Sequence, residues 1–503
     1  MNASNWSFTR MLRAIGLEAA GIVLWAPLVW AGNTPSKVTI QWDKVISVSK
    51  LSGSVLLGPE MMNPPIHEQT MKAVRDFQAD FVRYIPWYPT PKLSIAELYP
   101  PDNGKTSWDF ALLDPPIEDL LQATAGHSFI MDFSTIPQWM FKTEKPVDPL
   151  KETLNYEQGT ELRAPSLKEV ADYYGRLVSW YTQGGFKDEY GSWHESGHHF
   201  KFPYWEVLNE PELEHALKPE EYTALYDAIV GAIQKVSPGT KFIGLAQAFP
   251  VWEPKYPLYF LNHRNHKPGI PIDMISYHFY SSWRPDQIPE AQVTTVFDQA
   301  DQLLNAVRYI QAIREQLSPE TGTVIDELGT GPVGWLSIDK SPQYFKFEFR
   351  LSTALYAYLY GQMAALGVDA AGETALLGVP PGRFQELAML DWKTGEPNVR
   401  YWGLKLLLNN FHPGDKLVST SVPEGDPKWL RAYVQGFITR SGTRKLLLVN
   451  KTDQDVAVIV PGAQDANIDI IDKTTGNHPA RPVRLTSETV TLNGLAVAVV
   501  SFP

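Results

Sequence analysis

Residues 204–249 read YWEVLNEPELEHALKPEEYTALYDAIVGAIQKVSPGTKFIGLAQAF, and the reading of this stretch decides the fold. An apolar run from Tyr204 to Leu208 stops at Asn209, Glu210 and Pro211. Pro219 suits a first helical position, and Tyr222, Leu225, Tyr226, Ile229 and Ile233 recur behind it as one helical stripe. Ser237, Pro238 and Gly239 stop that helix, and Lys241 to Phe249 is strand-like again. Strand, helix, strand is the unit that joins parallel strands. It raises a question of chemistry: an amide and a carboxylate stand side by side where the strand runs out.

The same alternation extends from Leu51 to Phe411. Strand-like runs are GSVLLGPE, DFVRYIPWY and HSFIMDFS before the quoted stretch, and IDMISYHFY, GTVIDEL and GVDAAGETALLG after it. Helical spacing intervenes, with Met71, Val74 and Phe77 on one face, then Leu167, Val170, Tyr174, Leu177 and Tyr181, then Leu303, Val307 and Ile310. Further helices are expected near Tyr356 and over NVRYWGLKLLLNNF. Roughly eight strands separated by helices predict an α/β fold, a (β/α)8 TIM barrel over 51–411. A doubly wound sheet would also alternate, but no glycine-rich phosphate loop follows the first strand.

The flanks differ. From His412 to the end, 412–503, short β-rich runs such as RKLLLVNKT and LAVAVVSF are separated by Gly, Asp, Asn and Pro, which predicts an antiparallel β-sandwich. Residues 36–50 are strand-like and are expected to join it, so that this domain draws on both ends of the chain. Residues 1–31 fit a signal peptide: Arg10 and Arg13 precede an apolar stretch that ends in Val29, Trp30 and Ala31, with Glu18 the one charge inside it. That implies a secreted or periplasmic protein, free of the membrane once the segment is cleaved; a membrane anchor or a buried helix is the other reading of the same residues.

Composition narrows the class. The chain has 503 residues, 44% hydrophobic and 20% charged, enough for two domains with real cores. A net charge of −12 repels phosphate backbones and argues against nucleic acid as a partner. With no cysteine, disulfides and thiolate metal sites are excluded. The 16 tryptophans serve core packing first, and flat sugar-binding faces second.

Sites in such barrels lie at the C-terminal ends of the strands. Glu210 closes the fourth strand-like run and Glu327 the seventh, so distant parts of the chain would bring two carboxylates to one mouth. Glycosidic cleavage needs such a pair, one group to donate a proton to the leaving oxygen and one to attack the sugar carbon or activate water. No cofactor or metal is required for that chemistry. Asp326 is the neighbour and rival of Glu327; strand pleating sends adjacent side chains to opposite faces, so only one is expected inside. Glu212 and Glu214 read as loop charges.

WEVLNEPELEH resembles the Asn-Glu-Pro motif of clan A glycoside hydrolases, whose acid/base sits at the end of the fourth barrel strand. PEEYTALYDAIVGAIQKVSPGTKFIG and DFSTIPQWM are similar to family 39, the family of β-xylosidases and α-L-iduronidases. The resemblance is close at the fourth strand and loose over most of the barrel. It implies a retaining mechanism, with Glu210 as acid/base, Glu327 as nucleophile, and Asn209 on the hydroxyl next to the reacting carbon. IDELG departs from the seventh strand of family 39 xylosidases, which leaves clan A families 79 and 30 open.

Arg83, inside the second strand, needs a carboxylate partner: Glu327, as for the equivalent clan A arginine, or Glu206 in a structural pair. His278 and Tyr280 end the sixth strand, where clan A relatives often place a histidine and a tyrosine; a core histidine is the plainer alternative. Trp87, Trp139, Trp283 and Trp392 follow strands; Trp139 and Trp283 are the candidates for stacking on sugar rings. His194, Glu195 and His198 spell the H-E-x-x-H of zinc proteases, but Gly191 and Gly197 break the helix that motif needs. The expected activity is therefore retaining hydrolysis of polysaccharide fragments or glycosides. A non-catalytic carbohydrate-binding protein is the second reading, and a zinc peptidase the third. The sugar, its anomer, endo or exo action and oligomeric state depend on surfaces that sequence does not describe.

Overall fold

The computed structural model describes residues 35–503, apart from 63–65, 88–89, 145–147, 152–158, 334–341, 378–384 and 423–431. The expected signal peptide lies outside the described residues. Eight parallel strands close into a barrel: β1 Ser52–Leu57, β2 Phe81–Tyr84, β3 Ser128–Met131, β4 Tyr204–Glu206, β5 Lys241–Gln247, β6 Met274–Trp283, β7 Gly322–Pro332 and β8 Ala370–Glu373. Each pairs with its neighbours in chain order, and β8 returns to β1 with Ala370 opposite Ser52. The strand-like runs of the sequence are these strands, and the chain is an α/β TIM barrel with an antiparallel β domain.

Helices Pro219–Val236 and Pro289–Leu317 each begin on a proline, where a missing N–H costs nothing. The stripe Tyr222, Leu225, Tyr226, Ile229 and Ile233 is wholly buried against the barrel. Trp205 and Phe133 stack at 5.9 Å between barrel and helices.

Strand Thr39–Val48 lies at the edge of a seven-stranded antiparallel sheet, paired with Lys416–Ser421. Ser36–Lys37 joins the second, three-stranded sheet beside Val456–Ile459. Val38, Val434, Leu446, Val458, Val490 and Val500 fill the space between the two sheets. Phe411, at the end of the last barrel helix, packs on Phe437 of the sandwich with ring centres 4.3 Å apart.

Strands β6 and β7 run further than the sequence suggests. Pairing of β5 with β6 ends at Tyr277, and that of β7 with β8 at Leu328, but β6 and β7 continue together to Trp283 and Pro332. The pair thus rises above the barrel rim as a two-stranded ribbon. His278, Tyr280 and Glu327 sit where the ribbon leaves the barrel rather than at strand ends. Conversely, the regular ladder of β4 stops at Glu206; Glu210 comes after an irregular turn and opens the one-turn helix Pro211–Glu214.

Candidate active site

Arg83 organises the C-terminal mouth. It is completely buried on β2 and faces residues from three other barrel segments, those of β3, β4 and β7. Its Nε lies 2.6 Å from Glu206 Oε2 and 3.1 Å from Asp326 Oδ2. Nη1 donates to Glu327 Oε1 at 2.5 Å, and Nη2 to Asp132 Oδ2 at 2.8 Å and Asn209 Oδ1 at 2.9 Å. A buried guanidinium survives only with such partners. The two sequence readings of Arg83, with Glu206 or with Glu327, both hold.

Asp326 and Glu327 both reach inward, contrary to the alternation expected of a pleat. Tyr277 on β6 pairs with Ile325, but His278 pairs with Glu327, so Asp326 is an extra residue, a bulge. The bulge turns two successive carboxylates onto Arg83. Gly372 on β8 makes room for it, because a Cβ there would lie 2.6 Å from the Asp326 carbonyl oxygen.

His278, Tyr280 and the two sequence-predicted glutamates meet over this floor. His278 Nδ1 lies 2.9 Å from Glu210 Oε1 and 3.6 Å from Glu327 Oε2. The Tyr280 hydroxyl donates to Glu327 Oε2 at 2.5 Å and sits 3.3 Å from Thr374 Oγ1. A Cβ at Gly329, the register partner of Tyr280, would come within 2.9 Å of the phenol ring, so only glycine lets it lie there. Glu210 is held by its own backbone, whose N–H donates to the Ala246 carbonyl of β5 at 3.0 Å. One ligand atom each of Glu210, His278 and Glu327 lie within 4.8 Å of one another. The trio could therefore hold a cation, and its two carboxylates could equally flank a scissile bond.

The electrostatics separate these acids. Burial pushes the Asp132 and Asp326 carboxyls well up, and Arg83 offsets this only in part. Burial opposes the charge on Glu327 too, but His278, Arg83 and the Tyr280 hydroxyl outweigh it and hold that carboxyl below the usual range. Burial alone would make His278 neutral; Glu327, Asp326 and Glu210 instead push it up to about 10, so it is an imidazolium whose Nδ1 donates to Glu210 Oε1. The site thus keeps the Glu327 carboxylate charged between Arg83 and His278.

The cluster has counterparts among known proteins. Residues 185–339 match the model of glycosyl hydrolases family 39, and this segment carries Glu206, Asn209, Glu210, His278, Tyr280, Asp326 and Glu327. The matched segment is that of a glycosidase. Residues 431–500 match the C-terminal immunoglobulin-like domain of D-apionate lactonase; they lie in the sandwich and contribute nothing to the carboxylate cluster. No curated protein matches the chain. Among solved structures, the GH51 arabinofuranosidase from Xanthomonas axonopodis pv. citri aligns with a TM-score of 0.61 at 13% identity, over 93% of this chain and 100% of its own. The GH30 endoxylanase from Clostridium papyrosolvens C71 aligns at 0.56 and 13%, over 93% and 100%. The GH51 α-L-arabinofuranosidase from Thermotoga petrophila RKU-1 aligns at 0.60 and 13%, with the same coverage. These likenesses share the barrel-plus-β architecture.

Other expectations need correction. Trp283 is 2% exposed, donates Nε1 to Glu348 and packs on Tyr344, so no ring face is open to a sugar. It lies on the ribbon, whose inner face is core. Trp139 is half-buried; its Nε1 donates to the Glu97 carbonyl and Arg163 covers one face of its ring at 4.5 Å. Glu214 is not a loop charge but a buried partner of Asn209, and Glu212 accepts from the Phe249 N–H at 3.0 Å. Asp132 and the inward role of Asp326 were not legible as site residues; the only signal was an acid directly after a barrel strand in MDFS and a second acid in IDE. The H-E-x-x-H spelling falls on strand Trp193–Glu195, with His194 on Asp188 at 2.9 Å and His198 near Asp114 at 3.4 Å. The two histidines therefore serve separate pairs.

Proposed function

We propose that the chain is a retaining glycoside hydrolase in which Glu327 is the nucleophile and Glu210 the acid/base. The observation that carries this reading is the approach of Glu210 and Glu327, with oxygens within 4.8 Å, at the C-terminal mouth of the barrel. Retaining enzymes hold their carboxyl groups about 5–5.5 Å apart, whereas inverting ones leave room for a water between them.

In the first step the Glu327 carboxylate attacks the anomeric carbon while protonated Glu210 gives its proton to the glycosidic oxygen. The C–O bond breaks, the alcohol leaves, and an ester joins the sugar to Glu327. In the second step the Glu210 carboxylate takes a proton from water, whose oxygen attacks the same carbon and expels Glu327. Arg83 and Tyr280 hold one Glu327 oxygen each, which fixes the orientation of the attacking carboxylate. Asn209 would bind the hydroxyl next to the reacting carbon.

A panel of chromogenic glycosides tests the reading, beginning with arabinosides and xylosides because the structural neighbours are arabinofuranosidases and an endoxylanase, and continuing to glucuronides. Turnover of one of them, abolished in Glu210→Gln with binding kept, supports it. A wild type that binds sugars and turns over none would instead favour the carbohydrate-binding reading. Export by the N-terminal segment is a further proposal; a mature N-terminus near Ala31 in exported protein supports it.

A further inference from the structure

Glu214 takes no part in these two steps, yet the chain buries it beside the reacting groups at 2% exposure. Its Oε1 accepts two hydrogen bonds, from Asn209 Nδ2 at 2.9 Å and Trp87 Nε1 at 2.8 Å. Asn209 Oδ1 in turn accepts from Arg83 Nη2 at 2.9 Å. An amide has one acceptor end and one donor end, so these neighbours decide which way it points. Its carbonyl faces the guanidinium and its nitrogen faces the Glu214 carboxyl. The second hydrogen of that nitrogen has no partner among the described residues.

The backbone ties the same groups together. Glu214 N–H donates to the Glu210 carbonyl at 2.8 Å, closing the turn Pro211–Glu214. Leu208 and Glu210, on either side of Asn209, have φ of +65° and +41°. Non-glycine residues enter that left-handed region rarely and stay there only when their surroundings over-determine it. Burial, with the nearby Glu210, pushes the Glu214 carboxyl well above the usual range despite the hydrogen bonds it accepts from Asn209 and Trp87. A neutral carboxyl still offers its carbonyl oxygen to both donors.

We propose that Glu214 is a positioning residue, which locks the Asn209 amide so that its remaining N–H meets the substrate hydroxyl next to the reacting carbon. The inference rests on the hydrolase reading for the identity of that hydroxyl. Hydrogen bonds to this hydroxyl strengthen in the transition state, so a misdirected Asn209 costs rate more than binding.

The experiment compares Glu214→Ala and Glu214→Gln on a glycoside that the wild type cleaves and on its 2-deoxy counterpart, together with the crystal structure of Glu214→Ala. Glutamine keeps an uncharged acceptor for Asn209 and Trp87. The alanine variant is expected to lose about 100-fold in kcat/KM on the glycoside, mostly in kcat, and about tenfold less than that on the 2-deoxy substrate. Glutamine is expected to restore most of the loss, and the alanine structure to show Asn209 turned away from Arg83. Equal losses on the two substrates, or no rescue by glutamine, overturn the proposal. So does an Asn209 that stays 2.9 Å from Arg83 without Glu214. A wild type inert toward every glycoside would sink the hydrolase reading instead, and the alanine structure would still decide what Glu214 does.

Discussion

Arg83 Nη1 and Glu327 Oε1 meet at 2.5 Å across 244 residues of chain. The contact joins β2 to β7 across the barrel mouth, and it makes one buried cation both a support of the fold and a determinant of the site. The guanidinium is fully buried and is shared by Asp132, Glu206, Asp326 and Glu327. That sharing sets both the stability of the mouth and the charge on the Glu327 carboxylate.

Replacing Arg83 leaves several acids buried without a cation. Arg83→Met is expected to lose activity and to lower folding stability by about 3–5 kcal/mol, the usual cost of stranding a buried charge. Urea denaturation checks it. A variant as stable as the parent would mean that the acids around Arg83 are already neutral.

The Glu327 carboxyl is held below its usual range, in part by the Tyr280 hydroxyl. Tyr280→Phe removes a hydrogen bond that favours the charged form, so the carboxyl titrates at higher pH. The acid limb of kcat/KM is expected to move up in pH, with the alkaline limb little changed. A pH–rate profile of the two proteins reads this directly.

His278 has its pKa raised to about 10 in the folded chain. A group raised on folding stabilises fully below its unfolded value and loses that contribution as pH climbs through the folded one. Stability is therefore expected to decline between about pH 6.5 and 10, and less steeply in His278→Asn. Urea midpoints at about pH 6.5 and 9.5 measure it; a parent whose midpoint does not fall, or a variant that falls as steeply, contradicts the raised value.

On the proposed mechanism, Glu210→Ala removes the proton donor while sparing Glu327. Activity on alkyl glycosides should fall about 10²–10⁴-fold, the range ascribed to general acid catalysis, and far less with an activated aryl leaving group. Azide should speed the second step, which no longer has a base. Equal losses for both leaving groups would exclude Glu210 as the acid.

His194 and His198 serve different carboxylates, so a chelator should leave activity intact and His194→Ala should be neutral. Added zinc must displace the His278 proton to bridge Glu210, His278 and Glu327, so any inhibition should strengthen as pH rises. Rates with and without chelator, and with rising zinc at low and high pH, check both statements.

Much of the architecture was legible because it comes from local pattern. The alternation of period-2 and helical runs marks eight strands, and Asn209-Glu210-Pro211 marks a candidate site by its context, with a strand before it and a loop and helix after. The features that escaped the sequence depend on departures from regular geometry. Asp326 faces inward because a bulge shifts the β6–β7 register, and a bulge has no sequence spelling here. Glu214 reads as a loop charge because its burial comes from a one-turn helix folding it onto Trp87, a residue from another loop. Trp283 comes after an apparent strand end, but β6 continues through it, so it joins the core.

The central claim is that Glu327 attacks the sugar and carries it as an ester. Incubation with a 2-deoxy-2-fluoro glycoside of the sugar found in the panel, then peptide mass spectrometry, tests it most directly. The expected result is one covalent sugar, on the peptide bearing Glu327, absent in Glu327→Gln. A label on Glu210, or hydrolysis with inversion and no labelled enzyme, would contradict it.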